Sequence, residues 1–329
     1  MRFSGVAFGS MIVWLVANGC ATPGGVAAGS STGEPGPTGA SGGGAPAPSC
    51  PPSALCDAGP VCLSLEDYDD KQIFNLRMSR FTFTAPKALA EDHHVQNAVV
   101  GGVTPNLPGC GVNGPATFSW IMQFNMSAST LQTGIAKLVT DPTEGYTFIN
   151  EPMMQGGTTY PIGPVAFHDV DLSSDGSFSV KEGLDLNVPI YLDSTGTNFV
   201  IIPLHKARMF AGRVAPDHNC IGHYNAEGLD PAKGCAGDIS HPLFIAGAKV
   251  DGYITLEEAD TIVSTSFGIS LCFFLTGKGD GGAPVKCARS NGAIVAEGDW
   301  CSATNDGASC TDAVRLAADF AASAVRVKN

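Results

Sequence analysis

Positive charge is scarce in this chain. It carries 18 Lys and Arg against 31 Asp and Glu, a formal net charge of −13. A surface of that sign repels phosphate backbones and anionic headgroups, which argues against a nucleic-acid partner. Charge of either sign is sparse too, at 15% of residues. No Cys-x2-Cys pair exists, and that is the usual zinc spacing. The region expected to fold has no Gly-x-Ser-x-Gly and no His-Glu-x-x-His, and Gly277-Lys278 lacks the glycine-rich lead of a phosphate loop. The motif-bearing hydrolases, metalloproteases and nucleotide enzymes are therefore without footing. A membrane-spanning run is missing as well: Val6 to Ala17 is apolar over about twelve residues, where a helix needs about twenty. No internal repeat appears, which excludes a solenoid.

That short run is itself informative. Met1-Arg2, the apolar stretch and Asn18-Gly19-Cys20 have the proportions of a cleaved export signal over residues 1–19. Val16-Ala17-Asn18-Gly19-Cys20 resembles the lipobox of bacterial lipoproteins. Gly19 and Cys20 match it, Ala17 is permitted, and Asn18 stands where a small residue is expected. The resemblance ends near Ala21 and says nothing of fold or activity. It implies that Cys20 becomes the lipidated N-terminus and that Ala21 directs the protein to an outer membrane, facing the periplasm or the cell surface. The alternative is plain secretion after cleavage behind Gly19 or Ala21. Residues 20–49 continue as a Gly/Ala/Pro/Ser/Thr tract whose only charged residue is Glu34. Such a tract cannot bury enough apolar surface to order itself, so it reads as a disordered tether.

Residues 50–329 read as a single cysteine-rich domain. The chain has eleven cysteines, and an odd count in an exported protein needs an explanation. Assigning Cys20 to the lipid leaves Cys50, Cys56, Cys62, Cys110, Cys220, Cys235, Cys272, Cys287, Cys301 and Cys310 as disulfide candidates. Cys220–Cys235 would close one loop. Cys272, Cys287, Cys301 and Cys310 would pair among themselves. Cys50, Cys56 and Cys62 would knot the start of the domain, with one of them reaching elsewhere, such as Cys110.

Forty-one glycines and low charge suit an extracellular all-β fold with many turns. Phe118, Trp120, Met122, Phe124 and Met126 alternate with smaller or polar residues and make the clearest strand. Leu184, Leu186, Val188, Ile190 and Leu192 make another, and Pro189 within it points to an edge or a bulge. Further strands are expected over Asn75–Thr84, Gly145–Ile149, Pro164–Asp171, Asn198–Leu204, Ala207–Val214 and Ser270–Leu275. The expected architecture is a disulfide-stapled β-sandwich, jelly-roll-like in one version, with one or two short helices. Thr255-Leu256-Glu257-Glu258 is a capping box that starts one of them. The stretch Asp312–Val327 mixes signals and reads as a helix-like start followed by a closing strand.

Chemistry-bearing constellations are few. Asp171, Ser173, Asp175, Ser177 and Glu182 fall at positions 1, 3, 5, 7 and 12 of a loop with Gly176 at position 6, which resembles an EF-hand calcium loop. Phe178 and Gly183 depart from that pattern, and alternating flanks favour a hairpin turning at Asp175-Gly176. No other cofactor is indicated. His218, Cys220 and His223 are a weak metal candidate. Asp92-His93-His94, if on a strand, sends its histidines to opposite faces. A polysaccharide hydrolase using paired carboxylates would draw first on Asp169, Asp171, Glu182 and Asp185, beside Trp120 or Trp300. The balance points to a non-enzymatic, lipid-anchored envelope protein with a binding or structural role and a carbohydrate or envelope-protein partner. The hydrolase and a calcium-dependent carbohydrate-binding or adhesion module are the alternatives.

Overall fold

The computed structural model describes residues 63–107, 112–228, 237–264 and 267–328, all within one compact unit. Cys20, Cys50, Cys56, Cys62, Cys110 and Cys235 lie outside the described residues, as do the signal and the tether.

Eight strands form one antiparallel sheet: β1 (Ile73–Ala85), β2 (Trp120–Asn125), β3 (Thr130–Ile135), β4 (Val165–Phe167), β5 (Leu184–Tyr191), β6 (Phe199–Phe210), β7 (Ala248–Thr255) and β8 (Ala313–Ala324). The sheet order is β5-β6-β7-β8-β1-β2-β3-β4. Six of the seven sheet neighbours are also successive in the chain. The exception is β8, which returns to β1 with Phe320 opposite Phe81. A two-residue strand, Cys220–Ile221, also pairs with β8. The edge strands β4 and β5 come into contact without laddering. The sheet is thus a nearly closed up-and-down barrel with one seam.

The all-β class holds, but the sandwich gives way to a single curled sheet. The physical reason lies in the inward side chains. Every second residue of β1 and β2 is large, whereas β8 turns Ala318, Ala322 and Ala324 inward beside Phe320. Small residues on one wall let large ones from the opposite wall meet at the axis, so a second sheet is not needed. An eight-stranded barrel is just wide enough for side chains to fill or to hold one small ligand. Here side chains fill it. Phe74, Leu76, Met78, Met122, Phe124, Leu131 and Phe320 are fully buried, and the Phe74 and Phe124 rings stack at 5.0 Å.

The Phe118–Met126 stripe faces this core, with Met126 half-buried at its end. Pro189 does sit on an edge strand. Ile201 opposite it sends its N–H away from β5, to Gln155 Oε1 at 2.6 Å. The missing donor of Pro189 therefore falls on the seam side, where no ladder needs it.

Several segments differ from expectation. Four α-helices occur among the described residues, more than the one or two expected: α1 (Lys87–Ala90), α2 (His93–Val103), α3 (Leu256–Thr261) and α4 (Leu271–Thr276). The expected strand over Ser270–Leu275 is α4, because Ser270 caps it by accepting from the Phe273 N–H at 3.1 Å. Asp312–Val327 has no helical start. It supplies β8, held on both sides by β1 and β7, and that pairing overrides alanine's helix preference. Gly145–Ile149 makes only isolated bridges at Tyr146 and Phe148. The capping box is present as read: Thr255 Oγ1 accepts from the Glu258 N–H, and the Glu258 carboxylate accepts from the Thr255 N–H.

The crossover from β7 to β8, residues 256–312, carries α3, α4 and both resolved disulfides. Cys272 bonds Cys287 and Cys301 bonds Cys310, so these four cysteines do pair among themselves. The Asp260 carboxylate organises the first loop from a buried position. It accepts from Ser270 Oγ at 3.0 Å, the Cys287 N–H at 2.7 Å and Arg289 at 2.9 Å. Cys220 is disulfide-bonded as well. No helix among the described residues is long and apolar enough to cross a membrane.

Candidate functional site on the outer wall of the barrel

The densest polar constellation lies outside the barrel, across β5 to β8. Residues alternate in and out along β6 until His205, where the register against β7 shifts. Lys206 there takes a left-handed φ of 50°. Its N–H is thereby free of β7 and donates to Asp185 Oδ1 at 3.0 Å. The same bulge places the His205 ring on the outer face with a carboxylate at each nitrogen. Nδ1 lies 3.2 Å from Asp185 of β5, and Nε2 lies 2.9 Å from Glu258 of α3. Glu258 is the capping-box residue, so one carboxylate fixes both the helix start and the imidazole. The Tyr253 ring covers the histidine at 5.4 Å.

Both ring nitrogens must carry protons to serve two carboxylates. The hydrogen bond to Glu258 raises the His205 pKa to about 9; partial burial opposes this and Asp185 adds to it. Burial works to raise Asp185 and Glu258, but hydrogen bonds outweigh it and both end below the usual carboxylate range. The donors to Asp185 are the Lys206 N–H and His205; those to Glu258 are His205 and Thr255. At neutral pH the imidazolium has no lone pair with which to accept a proton. Its partners are carboxylates, not a hydroxyl or a thiol. The geometry of a nucleophile-activating base is absent, and the arrangement is an ionic clamp joining β5, β6 and α3.

The clamp continues into a charged ladder. Asp251 of β7 is buried and accepts from Arg208 Nε at 2.8 Å and from Arg315 Nη2 at 2.7 Å. Arg315 lies over the Trp300 ring at 5.4 Å. Lys249 meets Asp319 at 2.8 Å. Opposite charges across neighbouring strands stabilise a sheet face, and this ladder spans β6, β7 and β8.

The residues singled out from sequence are dispersed. Val170–Leu172 and Ser177–Val180 form a hairpin, with Asp171 opposite Ser179. Lys181 neutralises Asp171 at 2.9 Å and Asp169 at 3.3 Å. Asp175 accepts from the Ser177 N–H and Oγ, both at 3.0 Å. Phe178, the departure from the EF-hand pattern, points into one end of the barrel and meets Phe124 edge-on at 5.1 Å. The segment Asp171–Glu182 is built as a plug, and the acids it holds do not converge. Among the described residues, acid and cysteine atoms gather in only two places, Asp260/Cys272/Cys287 and Cys301/Cys310/Asp312, each built on a disulfide. The His218/Cys220/His223 metal candidate fails, since Cys220 is spent in a disulfide and the His218 ring stacks on Phe74 at 4.5 Å. Asp92-His93-His94 opens α2 rather than lying on a strand. Asp92 caps it by accepting from the His94 and Val95 N–H groups.

Of the acids singled out for paired-carboxylate hydrolysis, Asp169 and Asp171 share Lys181, and Asp185 is held by His205 and the Lys206 N–H. Trp120 is buried in the barrel and donates to Thr133 Oγ1 at 2.6 Å, so it lines no groove. Sequence reasoning missed His205. Its one signal was the pair His205-Lys206 interrupting the apolar run between Leu204 and Ala207.

Comparison with protein-family models, with curated proteins and with solved structures returns no match.

Proposed function

We propose that this chain is an exported, lipid-anchored envelope protein whose disulfide-held barrel serves a binding or structural role, with a carbohydrate or another envelope protein as its partner. One observation carries the reading: each of the five described cysteines, Cys220, Cys272, Cys287, Cys301 and Cys310, is disulfide-bonded. Such bonding fits an extracytoplasmic compartment. With eleven cysteines, pairing leaves one over, and the lipobox resemblance assigns that one to Cys20. The His205 ring, held by a carboxylate at each nitrogen, supports a structural role for the outer wall. The plug geometry of Asp171–Glu182 gives the calcium-dependent adhesion reading no support.

The test is metabolic labelling with radioactive palmitate in a diderm host, on the full chain and on Cys20→Ser, followed by separation of inner and outer membranes. Label in the full chain, absent from Cys20→Ser, with the protein in the outer-membrane fraction, supports the proposal. An unlabelled protein recovered from the medium would overturn the anchor and leave plain secretion.

A further inference from the structure

Arg77 is on the outer face of β1 and is 2% exposed. The ion pairs of arginine involve Arg208, Arg289, Arg315 and Arg326; among the described residues no carboxylate meets Arg77. Its Nε donates to Ser119 Oγ at 3.0 Å, Nη1 to Met78 O at 2.9 Å and Nη2 to Phe118 O at 3.2 Å. A guanidinium has five N–H groups, so two remain unspent. The guanidinium lies over the Tyr146 ring at 5.6 Å. Tyr146 is 1% exposed, and its hydroxyl has no hydrogen-bond partner among the described residues. The hydroxyls of Ser79, next but one on β1, and of Tyr224, in the same apolar layer as Tyr146, are buried and partnerless too.

A buried lone cation is costly unless paired. The under-used groups at the guanidinium, its two spare N–H groups and the Tyr146 hydroxyl, can each donate a proton. A net positive charge with donors in excess calls for an acceptor of negative charge. Tyr146 under the guanidinium and Ile121 opposite Arg77 on β2 belong to a buried apolar layer, which suits a small monovalent ion rather than a phosphate or a carboxylate-bearing metabolite. We propose that the layer outside β1 binds a halide ion, chloride in its ordinary setting, between the Arg77 guanidinium and the Tyr146 hydroxyl.

The experiment uses the full chain in two arms. Crystals grown in sodium bromide are examined by anomalous diffraction, and unfolding is followed in sodium chloride against sodium gluconate at equal ionic strength. The proposal expects a bromide peak within hydrogen-bond reach of Arg77. It also expects chloride above its dissociation constant to raise the folding equilibrium constant about tenfold per tenfold chloride, with no such effect of gluconate. Tyr146→Phe keeps the ring and should weaken halide binding by about tenfold or more, through loss of one charge-assisted hydrogen bond. Arg77→Met should abolish it where that variant folds; Tyr146→Phe stands as the test where it does not. A water at the site in the bromide crystals, or equal midpoints in chloride and gluconate, would overturn the inference.

Discussion

Raising the pH should loosen this protein through one residue. His205 has its pKa lifted from 6.5 to about 9 by Glu258 and Asp185. A group raised in the folded state stabilises it fully below the unfolded value, and that contribution is lost as pH climbs through the folded value. The loss therefore falls between 6.5 and about 9. Taken at face value the displacement corresponds to about 3.4 kcal/mol. The Asp185 side chain is 64% exposed, so solvent screening cuts this to about 1–2 kcal/mol. Asp185 and Glu258 are displaced the other way, so their contribution is present above the ordinary carboxylate range and fades only in acid. The assay is urea unfolding of the oxidised protein at about pH 6 and about pH 9.5, for the wild type and His205→Gln. The wild type should lose about 1–2 kcal/mol more than the variant over that interval. Thiols and other groups titrating there cancel in the difference. Identical losses in both proteins would show that the two carboxylates do not hold the imidazolium, and the clamp would be refuted.

Three further predictions concern the plug and the crossover. Phe178→Ala should cost about 3–5 kcal/mol by emptying the end of the barrel, and the wild-type midpoint should be the same in millimolar calcium and in chelator; a calcium-dependent rise of several degrees would return Asp171–Glu182 to the status of a metal loop. Gly212→Ala would bring its Cβ to 2.1 Å from the Phe178 ring, so a smaller loss by overpacking, about 1–3 kcal/mol, is expected in thermal melts. Replacing Cys272 and Cys287 together by serine should cost about 3 kcal/mol, as expected for their sequence separation of 15, and should raise hydrogen exchange in α4 and the loop to Arg289 while sparing β1 and β2; uniform destabilisation of the whole barrel would count against a locally stapled crossover.

How far the sequence was readable depended on whether the deciding contact was local. The Phe118–Met126 stripe, the Thr255 capping box, the Asp175-Gly176 turn and the edge role of Pro189 are written within a few residues, and each could be read. Ser270–Leu275 was mistaken for a strand because its cap is a hydroxyl, whereas its apolar run suits either element. Asp312–Val327 needed knowledge of β1 and β7, which lie far away in the chain and make its alanines fit a sheet. The barrel itself was hidden for the same reason. Alternation says which side of a strand is buried, but not whether the opposite wall belongs to a second sheet or to the same sheet curled round. The clamp at His205 draws on three separated segments, so nothing in Leu204-His205-Lys206 alone names its partners.

The return of β8 to β1 sets an order of events. Leu76 faces Ala324, and Phe81 faces Phe320, so the lock of the barrel joins positions far apart in the chain. Contacts of that reach are slow to form. Until they do, β1 and β7 are two long open edges of the kind that recruit stray strands. The other ladders can zip up between chain neighbours, but β1–β4 and β5–β7 stay two separate sheets until β8 joins them. Any delay in the arrival of β8 therefore prolongs the time for which both edges can recruit other chains.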